Sequence, residues 1–162
     1  MSAGTPLQPT HHTIDGELIP TLDDIAAQHF ALAPWVLRTP VFDRHDFGTL
    51  DSTLVNFKFE LLQAGGSFKT RGAFTHLLAL DPAERRAGVT CVSGGNHAIA
   101  VAYAAMRLGI SAKVVLFHTA SAARVAQCRR YRAEIVMARN AREAFDIVRR
   151  IEAEEGRYFV HP

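Results

Sequence analysis

The second half of the chain alternates between short apolar runs and helical patterns, and this alternation limits the possible folds more than any other feature. The apolar runs, which predict strands, cover residues 88–93, 112–117, 134–138 and 157–160. The helical patterns between them cover residues 96–109, 121–132 and 141–155. Gly109 and Gly156 stand where helix C-caps are expected, and Ser121 stands where an N-cap is expected. Strands and helices that alternate over short links predict an α/β fold with a parallel sheet and right-handed crossovers.

The amino-terminal segment has a weaker pattern. Residues 1–20 show no periodicity, and the adjacent His11 and His12 do not form part of a carboxylate or thiol ligand set with metal-binding spacing, so we predict a flexible tail without a metal site. A helix is predicted from Thr21, a suitable N-cap with an acidic residue three positions on. Pro34 ends this helix.

Composition excludes several classes of protein. The chain has 162 residues, is 48% hydrophobic and carries a net charge of +2, values typical of a globular domain rather than a disordered or disulfide-rich one. This charge indicates neither a nucleic-acid nor a membrane partner. No apolar stretch approaches the ~20 residues that span a bilayer, and the first residues do not resemble a secretory signal. We expect a soluble cytoplasmic protein with Cys91 and Cys128 as reduced thiols.

A loop rich in small and polar residues, Ser93 to His97, lies between a predicted strand and a predicted helix. Parallel sheets bind ligands at the carboxyl ends of their strands, where backbone amides at a helix start bind anions. The loop is therefore a candidate site for a carboxylate or a phosphate. The structural alternative is a tight Gly-Gly turn, with Asn96 as a helix N-cap and His97 at the surface. The G-x-G-x-x-G dinucleotide fingerprint is absent.

A second candidate segment follows the predicted strand at 53–60 and runs from Gly65 to Ala73. A helix is predicted here from Ser67 or Phe68 to Leu80. Lys69 lies in its first turn, where the helix macrodipole disfavours a cation by a few tenths to ~1 kcal/mol and so favours a neutral, nucleophilic amine. The sequence has three lysines, which are Lys58, Lys69 and Lys113.

These two segments together resemble a known family. The run from Lys58 to Ala73, KFELLQAGGSFKTRGA, is followed about twenty residues later by SGGNHA, which starts at Ser93. Both motifs, in this order and spacing, resemble the serine/threonine dehydratases of the tryptophan-synthase-β group, the fold type II pyridoxal-phosphate enzymes. The resemblance extends from PTLDDI at Pro20 to YFVHP at the last residues.

The resemblance implies a role for each matching residue. Lys69 matches the lysine that holds pyridoxal 5'-phosphate as an internal aldimine and then acts as the base at Cα. Phe68 matches the aromatic residue packed against the pyridine ring, and Asn96 matches the asparagine that binds its phenolic oxygen. The loop that receives the substrate carboxylate is matched by Ser93, Gly94, Asn96 and His97. The implied reaction converts L-threonine or L-serine to a 2-oxo acid and ammonia by β-elimination.

Within this group, the motifs favour a dehydratase over other activities. Cysteine and threonine synthases carry Thr after the loop asparagine, where this chain has His97, and often Asp where it has Arg71. Serine racemases carry a second serine at the position of Gly94, and glycine has no side chain to donate a proton. The alternatives are a serine racemase-like or hydroxyaspartate-dehydrating relative, or a catalytically inactive truncated fragment.

This sequence differs from the family mainly in length, because the resemblance implies a second half, with a Gly-rich phosphate loop, that the 162 residues do not include. We therefore predict a flexible tail at 1–20, the amino-terminal part of a large cofactor-binding domain at 21–81, a small α/β domain at 82–157 and the start of a return to the large domain at 158–162. By itself this chain is expected to bind the cofactor weakly and to expose apolar surface. The resemblance implies a homo-oligomer at full length.

Overall fold

Two separate units make up the chain in the computed structural model, residues 1–34 and residues 35–162. The structure describes residues 13–14, 17–44 and 55–162. In the first unit, strands β1 (Thr13–Ile14) and β2 (Glu17–Leu18) pair antiparallel. The flexible tail predicted for residues 1–20 therefore contains a short hairpin.

The first helix, α1 (Leu22–Leu32), begins as the sequence predicts. Thr21 Oγ1 accepts a hydrogen bond from the Asp24 backbone N–H at 3.2 Å, and the Asp24 carboxylate accepts one from the Thr21 N–H at 2.7 Å. This reciprocal capping box satisfies two backbone donors that a helix start leaves unpaired. The helix ends just before Pro34, as expected.

A parallel four-stranded sheet forms the centre of the second unit. Its strands are β5 (Val89–Val92), β6 (Ala112–Phe117), β7 (Glu134–Ala138) and β8 (Tyr158–Phe159). Their order in the sheet is β7-β6-β5-β8, and every pairing is parallel. The sequence-based prediction of an α/β fold with a parallel sheet is confirmed.

Four helices alternate with these strands: α3 (Pro82–Ala87), α4 (Asn96–Leu108), α5 (Ala122–Arg130) and α6 (Ala141–Glu155). Helix α6 packs on β5, β6 and β7, and α4 packs on β5 and β6. The buried core between α6 and the sheet consists of Val92, Val115, Ala138, Ala144, Val148 and Ile151. The sheet and its helices thus hold the loop at 93–97 at the carboxyl end of β5.

Two features of these helices differ from the prediction. Helix α5 ends at Arg130, two residues early, and Arg132 adopts a left-handed φ of 62°. Left-handed residues end helices, but the usual sequence signal is glycine, which is absent here. Helix α3 was not predicted; Asp81 caps it through a capping box with Glu84, and Pro82 occupies its first turn.

The remaining elements of the second unit precede the sheet. They are the antiparallel strands β3 (Val41–Arg44) and β4 (Val55–Lys58), two short 3₁₀ turns (Glu60–Leu62 and Ala64–Gly66) and helix α2 (Lys69–Ala79). Helix α2 packs on α4. Its Phe74 and Leu77 are fully buried.

Both cysteines are free and buried, in agreement with the prediction of reduced thiols. Burial raises the pKa of the Cys128 thiol to about 11 and that of Cys91 still further, so neither supplies a thiolate nucleophile at neutral pH. In the described part of the chain, no helix has both the length and the apolar character needed to cross a bilayer.

Candidate active site

Lys69 is the first residue of helix α2. The loop before it contains Gly65 and Gly66, whose φ values of 81° and 79° lie in the left-handed region that favours glycine. A Cβ added at Gly65 would lie 2.8 Å from Thr70 Oγ1, so the loop also packs too closely for a larger residue. The close packing of Gly65 against Thr70 fixes the point where the loop becomes a helix, and the predicted cofactor lysine lies at this point.

A cavity of about 220 Å³ lies beside this helix start. It is lined by Phe68, Lys69, Gly72, Ala73, His76, His97, His161 and Pro162. Lys69 Nζ lies 5.7 Å from the centroid of the Phe68 ring, and Phe68 is 61% exposed. The cavity thus brings together three of the predicted site residues, Phe68, Lys69 and His97.

The three lysines of the chain differ in their partners. Lys58 Nζ donates a hydrogen bond to the Thr39 carbonyl oxygen at 2.6 Å. Lys113 Nζ forms ion pairs with Glu155 at 2.5 Å and Glu134 at 3.3 Å. Within the described residues, the Lys69 amine makes no hydrogen bond or ion pair. Lys69 is therefore the lysine whose amine is available for a ligand.

The loop from Ser93 to His97 joins β5 to α4. Ser93 N–H donates to the Val115 carbonyl oxygen at 3.1 Å, and Gly95 N–H donates to Ser93 Oγ at 3.1 Å. Gly95 is the N-cap of α4, so the alternative in which Asn96 caps this helix is wrong. Asn96 is the first helical residue, exposed, and its side chain makes no hydrogen bond within the described residues. Its amide is available for a ligand.

His97 is buried, with 6% of its surface exposed, so the alternative that placed it at the surface is also wrong. Its Nε2 lies 3.0 Å from the Val160 carbonyl oxygen. A carbonyl oxygen only accepts, so Nε2 carries the proton. Burial lowers the pKa of His97, and the positive charge of Lys69 nearby lowers it further. The ring is therefore neutral at physiological pH and ties the start of α4 to the segment after β8.

The structure places the remaining predicted residues outside the cavity lining. Ser93 and Gly94 lie in the loop before α4, and Asn96 is the first residue of this helix, which packs on the helix that carries Lys69. The Gly94 carbonyl oxygen accepts a hydrogen bond of 3.4 Å from Arg124 on α5. Arg124 had no predicted role, because contacts between distant elements leave no local pattern in the sequence.

Two histidines in the cavity, His76 and His161, were not predicted. His76 follows Lys69 by seven residues, about two helical turns, and so lies on the same face of α2. This spacing was visible in the sequence and could have identified it. His161 comes two residues after β8, and no local signal links it to Lys69.

An ion pair joins the first turn of helix α2 to the 3₁₀ turn at Glu60–Leu62. Arg71 donates from Nε to Glu60 Oε2 at 2.9 Å and from Nη2 to Oε1 at 2.7 Å. This bidentate contact holds the pKa of the Glu60 carboxyl at about 2, well below its ordinary value of 4.5. Both side chains are largely buried, 17% exposed for Glu60 and 29% for Arg71.

This ion pair predicts how stability depends on pH. Because the pKa of Glu60 is lower in the folded state, its contribution is complete above pH 4.5 and is lost as the pH falls toward 2. At ~1.4 kcal/mol per pKa unit, the contribution is at most about 3.5 kcal/mol. Urea unfolding of wild type and Glu60→Gln should therefore differ most at pH 7 and converge near pH 2. A constant difference between pH 7 and pH 2 would contradict this assignment.

Comparisons with known proteins agree with the resemblance found in the sequence. The family described as pyridoxal-phosphate dependent enzyme matches residues 32–162. The chain is 62% identical over 149 residues to the phenylserine dehydratase of Ralstonia pickettii, covering 92% of this chain and 46% of that protein. It is 37% identical over 142 residues to the catabolic L-threonine dehydratase of Escherichia coli K12, covering 87% and 43%.

Solved structures give the same result. Maize serine racemase superposes with a TM-score of 0.81 at 34% identity, over 87% of this chain and 43% of that one. The serine racemase of Dictyostelium discoideum superposes with a TM-score of 0.79 at 28% identity, over 88% and 47%. The chain spans less than half the length of these relatives. Because the family match covers most of the chain and the chain shares its fold with these structures, it belongs to the pyridoxal-phosphate dependent enzymes.

Proposed function

We propose that the protein acts in the dehydration of a β-hydroxy-α-amino acid to a 2-oxo acid and ammonia, with pyridoxal phosphate as cofactor. The observation that carries the proposal is Lys69. Its amine lies at a helix start, in a cavity, and makes no hydrogen bond or ion pair among the described residues, whereas the Lys58 and Lys113 amines are engaged elsewhere. An amine used as a nucleophile needs this freedom.

The site residues fit the ring and aldehyde of the cofactor. The Lys69 amine would hold the aldehyde carbon, the exposed Asn96 amide would donate to the phenolic oxygen, and the exposed Phe68 ring would pack on the pyridine face. The sequence contains no Gly-Gly-Gly run of the kind that the resemblance implies around the phosphate. We therefore assign no phosphate loop in this chain.

The start of α4 would bind the substrate carboxylate. Backbone N–H groups at a helix N-terminus attract anions, and α4 is a 13-residue helix with no acidic residue in its first turn. His97 is neutral and its Nε2 is engaged by Val160, so its contribution comes from its backbone and from the position that it gives the loop. This refines the role that the resemblance implied for His97.

Proton transfer at Cα would fall to Lys69. Bound pyridoxal phosphate supplies an electrophilic ring that delocalises negative charge from Cα. Once the substrate amino group had displaced it from the aldehyde carbon, Lys69 Nζ would take the Cα proton and pass it to the β-hydroxyl, which would leave as water. The enamine released then hydrolyses to the 2-oxo acid and ammonia. This hydrolysis consumes one water, which balances the water lost in the elimination.

Among possible substrates, the comparisons favour one with an aryl group on the β-carbon. The relative that is 62% identical is a phenylserine dehydratase, whereas the threonine dehydratase is 37% identical. The motifs alone led to the expectation of L-threonine or L-serine. We therefore propose 3-phenylserine as the preferred substrate, with threonine and serine as poorer ones.

A racemase function is less well supported, although serine racemases are among the relatives. The resemblance implies a serine at position 94 in racemases, and this chain has glycine. A Cβ added at Gly94 would lie 2.8 Å from Phe117 Cδ2, closer than atoms can pack. Position 94 therefore has no side-chain proton donor, and adding one would require the Phe117 ring to shift.

Complementation tests this proposal. The chain would be co-expressed with the carboxyl-terminal half of the Ralstonia pickettii phenylserine dehydratase, and ammonia and 2-oxo acid measured with pyridoxal phosphate added. We expect release from phenylserine exceeding that from threonine or serine, and none with Lys69→Ala in the same complex. A complex that binds the cofactor but releases no 2-oxo acid from any of the three substrates would refute the proposed activity.

Asn96 gives a separate prediction. Asn96 is exposed, is not the helix cap and makes no hydrogen bond within the described residues, so Asn96→Ala should change the free energy of unfolding by less than about 0.5 kcal/mol. The absorbance spectrum of the bound cofactor and its dependence on pH should nevertheless shift, because a hydrogen bond to the phenolic oxygen is lost. Unchanged spectra across pH would remove Asn96 from the cofactor site.

A further inference from the structure

The first turn of helix α2, which carries Lys69, lacks the local interactions that usually stabilise a helix start. Its N-cap, Phe68, makes no side-chain capping bond, and its first turn contains no acidic residue. Instead, this turn contains the cations Lys69 and Arg71, which the macrodipole disfavours, and Gly72, a poor helix former. Local interactions alone would leave the first turn prone to fray.

Contacts from outside the helix compensate for this weakness. The Glu60 carboxylate accepts two hydrogen bonds from Arg71, at 2.7 and 2.9 Å, and one from Thr39 Oγ1 at 2.6 Å. Its negative charge balances the Arg71 cation in the first turn of the helix. Arg71 Nη2 also reaches the Leu37 carbonyl oxygen at 3.3 Å.

Further hydrogen bonds hold the same segments together. Gln63 exchanges two hydrogen bonds with the backbone of Leu37, at 2.8 and 2.9 Å, and is itself buried. Thr70 Oγ1 donates to the Ala64 carbonyl oxygen at 2.5 Å. The two residues that directly follow Lys69 are therefore both anchored: Thr70 to the segment at 60–64, and Arg71 to that segment and to Leu37.

We propose that Glu60 and Arg71 are positioning residues for Lys69, which hold the first turn of α2 wound so that the lysine amine stays at the cavity. Neither residue lines that cavity, so they act through the helix and not on a ligand. Thr39 supports the same arrangement through Glu60. This role rests on the proposed function of Lys69 as the lysine that binds the cofactor.

Reductive labelling can measure the position of the amine without any catalytic assay. The whole chain would be treated with pyridoxal phosphate and borohydride, and the label on each lysine quantified by peptide mapping. The internal reference is Lys113, which has two carboxylate partners. It lies at the end of the sheet opposite the loop at 93–97. The readout is the ratio of label on Lys69 to label on Lys113 in the folded protein.

Four variants make the test specific. Glu60→Gln and Arg71→Gln break the pair, and the double variant removes both partners. Thr39→Val, the mildest change, removes one hydrogen bond without altering charge. The control is Glu143→Gln, which breaks a carboxylate–arginine pair of similar length, 3.0 Å, in the first turn of α6. Thermal unfolding of each variant is measured in parallel.

We expect the labelling ratio to fall on the order of tenfold or more in Glu60→Gln and Arg71→Gln, since misplacement of a reacting group by about 1 Å can have effects of this size. The double variant should be no worse than either single one, Thr39→Val should show a smaller decrease, and Glu143→Gln should leave the ratio unchanged. An unchanged ratio in Glu60→Gln and Thr39→Val, with label on Lys69 in the wild type, would overturn the positioning role alone. Wild-type protein without label on Lys69 would overturn the proposed function as well.

Discussion

Lys69→Ala is expected to abolish both the covalent attachment of pyridoxal phosphate and the dehydratase activity of the complemented protein. Lys69 is the lysine whose amine lies in the cavity and makes no hydrogen bond or ion pair among the described residues. Loss of a group that transfers a proton in the transition state typically costs ~10²–10⁴-fold in rate, and loss of cofactor attachment adds to this. Borohydride reduction followed by peptide mapping and an ammonia assay would measure the two effects.

Matched controls come from the other two lysines. Lys58→Arg and Lys113→Arg keep the positive charges that bind the Thr39 carbonyl oxygen and the two glutamates. Both should retain the label on Lys69 and the activity of the complemented wild type. Label found mainly on Lys58 or Lys113 in the wild-type protein would show that Lys69 is not the cofactor lysine.

Most strands and helices of the parallel sheet and its flanking helices could be predicted from the sequence, because the sequence signals that define them are local. The bounds of β6, β7 and α6 agree with the predicted ranges 112–117, 134–138 and 141–155. Apolar runs, capping residues and helix-ending glycines all act within a few positions of one another. Where such a signal is missing, as at Arg132, which ends α5 without a glycine, the predicted boundary is displaced.

The candidate site was only partly predictable, for a related reason. Lys69 and the loop at 93–97 are visible as motifs, because their glycines and helix starts lie next to the functional residues. The Glu60–Arg71 pair and the bond from His97 to Val160 join residues 11 and 63 positions apart. Such pairs depend on how the elements pack, and no sequence periodicity encodes them. Burial of His97 follows from the same packing.

Gly94→Ser is expected to destabilise the fold, by about 1–3 kcal/mol, the usual cost of overpacking. The added Cβ would lie 2.8 Å from Cδ2 and 3.5 Å from Cε2 of the Phe117 ring. This ring cannot easily move away, because it is half-buried and packs against the core that contains Val92 and Val115. Urea unfolding of the wild type and the variant would measure the change.

Phe117→Ala provides the control for this steric explanation. In the Phe117→Ala background the ring is absent, so Gly94→Ser should cost clearly less than it does in the wild type, and the two substitutions should be non-additive. Equal costs in both backgrounds would exclude Phe117 as the cause. If Gly94→Ser leaves stability unchanged, position 94 has room for the serine that the resemblance implies in racemases. The glycine would then argue against a racemase only because it has no side chain to donate a proton, and the packing of Phe117 would no longer support that argument.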